Sequence, residues 1–246
     1  MDLWKRFKRC YEARALDSVL EKMGTRQRRI DFSIRILPSK KGRVLDLGSG
    51  DGLLLETLGA DNAIGSDISI VYCRRMKSKK LEAVNCVAEH LPFASNSFSI
   101  IVCTEVLEHT LYPSEVVKEI RRVSKKDGHT LFSVPYREDL TSYENCRYEF
   151  AHLRSFEEND IISMLERFFA IDSVDFYAFH IILTTLHGYY INKIFSVVWK
   201  FFFIKYQTNF LRKFFNLFRP IYILILARKY QRLESSGRRH CARSVE

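Results

Sequence analysis

The six cysteines (Cys10, Cys73, Cys86, Cys103, Cys146 and Cys241) include no Cys-x-x-Cys pair. That spacing argues against a zinc site and against a disulfide framework. Cys86 and Cys103 fall within expected buried strands, where a free thiol acts as a small apolar side chain. No apolar run reaches the ~18 residues a membrane-spanning helix needs. The charged start, Met1-Asp2-Leu3-Trp4-Lys5-Arg6, lacks the apolar stretch of a signal peptide, so the cytoplasm is the expected compartment. Internal repeats and low-complexity linkers are absent as well. Negative charge is in deficit, with 29 Asp and Glu against 39 Lys and Arg and a formal net charge of +10. Such a surface favours nucleic acid, anionic lipid or a phosphorylated substrate without choosing among them. The dense Arg and Lys of 228–243 read as a solvated tail.

What is present is an alternation of strands and helices. Residues 1–36 read as helical, with Tyr11, Leu16, Val19, Leu20 and Met23 at helical spacing and a break at Gly24. Strands are expected at 43–47, 63–66, 83–87, 98–103, 130–134, 171–176 and 221–227. Helices are expected at 53–58, 69–79, 114–126 and 155–169. Ser114 is a candidate N-cap with Gly128 past the helix end, and Ser155-Phe156-Glu157-Glu158 has the form of a capping box. This rhythm predicts an α/β fold: a doubly wound, Rossmann-like, mostly parallel sheet of seven strands with helices on both faces. Ligands of such sheets bind at the carboxyl ends of the strands.

Gly48-Ser49-Gly50-Asp51-Gly52 lies between a strand and a helix, where glycines let the backbone turn tightly and approach a ligand. The helix N-terminus adds free amides. Asp46 precedes the loop. Asp67 ends the second strand, where a carboxylate can accept both hydroxyls of a ribose. A dinucleotide fingerprint would need a third glycine where Leu53 stands. A nicotinamide oxidoreductase therefore ranks last, and a nucleoside site is the expectation.

On these residues the sequence resembles class I S-adenosylmethionine (SAM)-dependent methyltransferases. Val44-Leu45-Asp46-Leu47-Gly48-Ser49-Gly50-Asp51-Gly52 resembles their first motif, closest to the branch called methyltransferase type 11. Ala88-Glu89-His90-Leu91-Pro92-Phe93 and Glu105-Val106-Leu107-Glu108-His109 resemble that branch's segments after strands three and four. The resemblance implies SAM as cofactor. Gly48 and Gly50 would pass close to its methionine part, Ser49 and Gly52 would belong to the same cofactor-binding loop, and Asp46 would help hold its amino group, directly or through water. Asp67 would bind the ribose, with Ile68 packing on the adenine. Ala88 and Glu89 would flank the adenine edge, and Cys103, Thr104 and Glu105 would line the floor near the sulfonium. Val87 departs from the Asp many relatives carry before Ala-Glu.

The i, i+3, i+4 spacing of Glu105, Glu108 and His109 would place all three on one face of a helix or turn. The pattern is similar to the metal-binding segment of ubiquinone-pathway O-methyltransferases and small-RNA terminal 2′-O-methyltransferases, and His152 falls where those enzymes carry a further His. Glu105, Glu108, His109 and His152 are thus the candidate metal ligands. A divalent cation lies within their chemistry but is not the expectation, because many relatives carry Glu-His here for packing and hydrogen bonding. Without metal, His109 or His152 could act as a base. Tyr136, Tyr143 and Arg147 could face the acceptor.

The chain divides into an N-terminal helical cap (1–40), a SAM-binding core (41–176), an aromatic-rich helical insertion (177–219), and a returning strand with a basic tail (220–246). The insertion suits a small helical subdomain, an oligomer contact or a membrane-surface contact, which would make the protein peripheral on the membrane. The expected activity is methyl transfer from SAM to a small-molecule or lipid-linked acceptor. An RNA ribose 2′-O-methyltransferase and a non-catalytic SAM-binding module are the alternatives.

Overall fold

A computed structural model of the chain describes residues 12, 23–39, 42–59, 61–138, 140, 152–177 and 222–229. Among the described residues seven strands form one sheet: β1 (Val44–Leu47), β2 (Ala63–Asp67), β3 (Ala83–Asn85), β4 (Phe98–Thr104), β5 (Ser124–Pro135), β6 (Ala170–Tyr177) and β7 (Tyr222–Arg228). Their spatial order is β3-β2-β1-β4-β5-β7-β6. β1 to β5 pair in parallel, while β7 runs antiparallel to both β5 and β6. The order reverses between β1 and β4, which opens a crevice at the carboxyl ends of those two strands.

Alternation along β4 builds the two layers. Ile101 and Cys103 pack on one face with Val116, Val117, Ile120 and Val123. Those four are the buried stripe of the helix Pro113–Val123. Ile100 and Val102 point to the other face, against Leu54, Leu55 and Met76. In chain order the helices are α1 (Met23–Ile36), α2 (Leu53–Leu58), α3 (Ile70–Ser78), α4 (Pro113–Val123) and α5 (Glu158–Glu166). Phe32 of α1 packs with Leu131 and Leu224, so α1 lies over β5 and β7.

Several local expectations need correction. Gly24 sits in the first turn of α1 rather than marking the helix's end. β3 stops at Asn85, so Cys86 lies past the strand and is half-buried. α4 begins at Pro113, with Tyr112 rather than Ser114 at the cap, and ends at Val123. Residues 124–129, expected as helix end and turn, begin β5 because Ser124 pairs with Phe98 of β4. The Ser155–Glu158 capping box does not form. Phe156 is buried and bridges to Tyr136, and α5 starts at Glu158 with no side-chain cap. β7 confirms the returning strand over 222–228. The insertion, 177–219 save Tyr177, and the tail beyond Lys229 lie outside the described residues, as do Cys10, Cys146, Cys241, Tyr143 and Arg147. No helix among the described residues is long and apolar enough to cross a membrane.

Candidate functional site

The glycine loop rises from β1 with Gly48, Gly50 and Gly52 all at positive φ. At Gly48 (φ 74°) a Cβ would come within 2.4 Å of Val106 Cγ2, so the loop can cross beneath Val106 only without a side chain. The buried Asp46 accepts a hydrogen bond from Ser49 Oγ at 2.5 Å, which folds the loop back on its own strand. Asp67 ties loop to sheet. Its Oδ2 accepts from the Gly50 amide at 2.9 Å and its Oδ1 from the Ser69 amide at 2.8 Å. An ionised carboxylate only accepts hydrogen bonds, so this end of β2 presents an acceptor and no donor. Asn85 Nδ2 donates to the carbonyls of Asp67 (2.9 Å) and Ile68 (2.8 Å), fixing the half-buried Ile68 beside that carboxylate.

Gly65, on β2, is a contributor that sequence reasoning missed. A Cβ there would lie 2.6 Å from Ser49 Oγ and 2.6 Å from Met76 Sδ. The bare strand lets the Ser49–Asp46 pair seat against β2. A glycine inside a strand signals such close approach.

The segment after β3 forms a side wall. Ala88 is half-buried and Glu89 is buried. Burial pushes the Glu89 carboxyl above its ordinary value, opposed by the backbone amides of Glu89, Tyr112 and Leu111. Glu89 therefore faces the start of α4. Sequence reasoning also missed the brace behind this wall. Arg122 of α4 donates to the carbonyls of Phe93 (2.7 Å) and Leu91 (2.8 Å), while Glu119 accepts the Leu91 amide at 2.9 Å.

At the end of β4, Cys103 is fully buried and Thr104 half-buried. Glu105 then takes φ 57°. Its carboxylate accepts from Ser133 Oγ at 2.8 Å and pairs with Arg29 of α1 at 3.6 Å. Burial raises its pKa, and Arg29 and Ser133 oppose the rise. Arg29 also donates to Tyr222 Oη at 3.2 Å. The left-handed turn separates Glu105 from the 3-10 turn Leu107–His109, so the expected single helical face does not exist.

Glu108 and His109 ride on that turn. Glu108 is completely buried, and neither carboxylate oxygen has a hydrogen-bond partner among the described residues. Burial pushes its pKa well above the ordinary range, and Glu105 adds to the rise. The chain returns at His152, where the Leu153 amide donates to the Glu108 carbonyl at 2.9 Å. The His109 and His152 rings stand edge to face, with centroids 4.5 Å apart. His152 Nδ1 contacts Glu138 Oε2. One donor atom each from Glu108, His109 and His152 lies within 4.8 Å of the others. Of the four candidate metal ligands, the fold gathers these three, while Glu105 turns toward Arg29 and Ser133. Tyr136 is half-buried against Phe176, at 5.2 Å between ring centroids.

A doubly wound sheet whose first strand ends in a glycine loop, with an acidic residue closing the second, defines the class I methyltransferase fold. More particularly, residues 45–132 match the model of a methyltransferase domain. It is 33% identical over 118 residues to a ubiquinone biosynthesis O-methyltransferase of Ralstonia nicotianae, covering 44% of this chain and 50% of the relative. An uncharacterized protein of Methanocaldococcus jannaschii is 35% identical over 101 residues, covering 41% of this chain and 44% of that protein. The chain thus spans about half the length of the curated relatives it matches. A solved SAM-dependent methyltransferase from Thermotoga maritima shares the fold at TM-score 0.62 and 17% identity, over 93% of this chain and all (100%) of that one.

Proposed function

We propose that the protein transfers the methyl group of SAM to a hydroxyl oxygen of a small-molecule or lipid-linked acceptor. The observation that carries this reading is the Glu108–His109–His152 group, whose turn directly follows Val106, the residue packed over Gly48. Methyl transfer is an in-line displacement at a carbon that the sulfonium already activates. The protein has to align nucleophile, methyl carbon and sulfur. An alcohol acceptor also needs its proton removed or its pKa lowered.

Each part of the site has a role in this reading. Asp67 binds the ribose hydroxyls, and Ile68 and the Ala88 segment pack on the adenine. Gly48, Ser49, Gly50 and Gly52 let the methionine part approach the backbone, with Asp46 toward its amino group. Cys103, Thr104 and Glu105 line the floor. The donor set at Glu108, His109 and His152 fits a divalent cation, because a carboxyl oxygen and two imidazole nitrogens gathered within 4.8 Å are the ligand types such an ion takes. A cation there would supply Lewis acidity that lowers the pKa of the acceptor hydroxyl. His109 and His152 remain the residues able to take a proton.

The test begins with calorimetric titration of SAM and S-adenosylhomocysteine, with NAD as control. Binding of both adenosyl ligands and not NAD is expected, followed by methylation of hydroxyl acceptors that depends on Mg²⁺ or Mn²⁺ and is lost in EDTA. Absence of SAM binding by folded protein would overturn the reading. Activity that EDTA leaves intact would replace the cation by a histidine base.

A further inference from the structure

His152 itself lies in neither a helix nor a strand. Contacts with the Glu108 turn and with Glu138 help set its place. The Leu153 amide donates to the Glu108 carbonyl, and Glu138, three residues past β5, meets Nδ1. Both side chains are largely shielded, at 11% exposure for His152 and 22% for Glu138. A carboxylate against Nδ1 selects the imidazole form with the proton on Nδ1, and the lone pair then sits on Nε2. His152 offers one ring nitrogen to the group with Glu108 and His109 within 4.8 Å, and Nε2 is the nitrogen on the far side of the ring from the Glu138 contact.

We propose that Glu138 is a positioning residue that fixes His152 as the Nδ1–H tautomer, so that its Nε2 completes a divalent-cation site with Glu108 and His109. The proposal rests on the proposed function for the identity of the site. A histidine that binds a cation through one nitrogen commonly donates the other N–H to a carboxylate, which sets the ring and raises its basicity. Loss of such a partner lowers metal affinity by about 10–100-fold.

Two readouts test it on the full chain. The first is long-range ¹H–¹⁵N correlation of the histidine rings in metal-free protein, with His152 assigned through His152→Asn. Wild type is expected to show the Nδ1–H pattern, and Glu138→Ala a mixture of tautomers. Glu138→Gln, whose carbonyl still accepts from Nδ1–H, should retain the wild-type pattern. The second is Mn²⁺ affinity from the electron paramagnetic resonance of free Mn²⁺. Glu138→Ala should bind about 10–100-fold more weakly, Glu138→Gln should lose less, and SAM binding should be unchanged in both. A wild-type His152 protonated on Nε2 overturns the proposal. So does Glu138→Ala with wild-type Mn²⁺ affinity, or wild type that binds SAM but no Mn²⁺. Wild type that binds Mn²⁺ but not SAM overturns the proposed function instead, and leaves the tautomer assignment standing.

Discussion

Asp67 holds two backbone amides, so under the proposed function a change there acts on the loop and on the ligand together. Asp67→Asn keeps one acceptor and removes the charge. It should weaken SAM binding by about 10–100-fold, the equivalent of about 1.5–3 kcal/mol for hydrogen bonds to a charged group. Gly65→Ala acts from beneath. The new methyl meets Ser49 Oγ and Met76 Sδ, and overpacking of this kind costs about 1–3 kcal/mol, measurable by denaturant unfolding. Weaker SAM binding should accompany it, because Ser49 is pushed off Asp46. The thiols give a third prediction. Burial raises Cys73, pushes Cys86 up to about 12, and holds Cys103 well above its ordinary value. Since the thiolate is the reactive form, iodoacetamide at pH 8 should leave these three unmodified in native protein and label them after denaturation, as read by mass spectrometry. The places of Asp46, Asp67 and the loop glycines were legible in the sequence because they follow from position at the end of a strand. Gly65 and Glu138 were not, because each acts on a residue that only the fold brings near.

Between elements, the brace from α4 to the wall after β3 carries a pH signature. The Arg122 guanidinium holds the Glu119 carboxyl below its ordinary range. A depressed folded pKa gives stability that is present above the unfolded value and lost as pH falls through the folded one. Wild type should therefore lose stability more steeply than Glu119→Gln below about pH 4.3. Denaturant midpoints across the acid range check this. Arg122→Ala should cost about 1 kcal/mol and weaken SAM binding, because the Leu91 and Phe93 carbonyls lose their donor. The same region shows where local pattern misleads. The run Arg121–Lys126 reads as helix, yet Ser124 is buried and paired with β4 while Lys125 and Lys126 are exposed. Likewise Glu157 is paired with Arg137 at 2.9 Å, so the helix start moves to the next residue. In both places a tertiary partner outweighed a local preference.

At the scale of the whole molecule, the N-terminal helix reaches the site that the central motifs build. Arg29 joins Glu105 at the end of β4 to Tyr222 at the start of β7. Arg29→Ala should leave Glu105 buried with less compensation. A cost of about 1–2 kcal/mol is expected, below the range for fully buried pairs because a quarter of the Arg29 side chain meets solvent. Thermal unfolding with and without SAM would show it. The parallel core was legible because βα alternation carries a strong periodic signal. The tie from α1 was not, because nothing in its sequence names Glu105 as a target.

The place of β7 between β5 and β6 has a consequence for how the protein is made. Both neighbours leave the ribosome before it, and residues 178–221 separate β6 from the strand that must slide in beside it. At about 5–20 residues per second, β5 waits several seconds with one hydrogen-bonding edge uncovered. The nascent chain therefore passes through a stage at which a foreign strand could take the slot, and the closing step of assembly is an insertion rather than an addition at the rim.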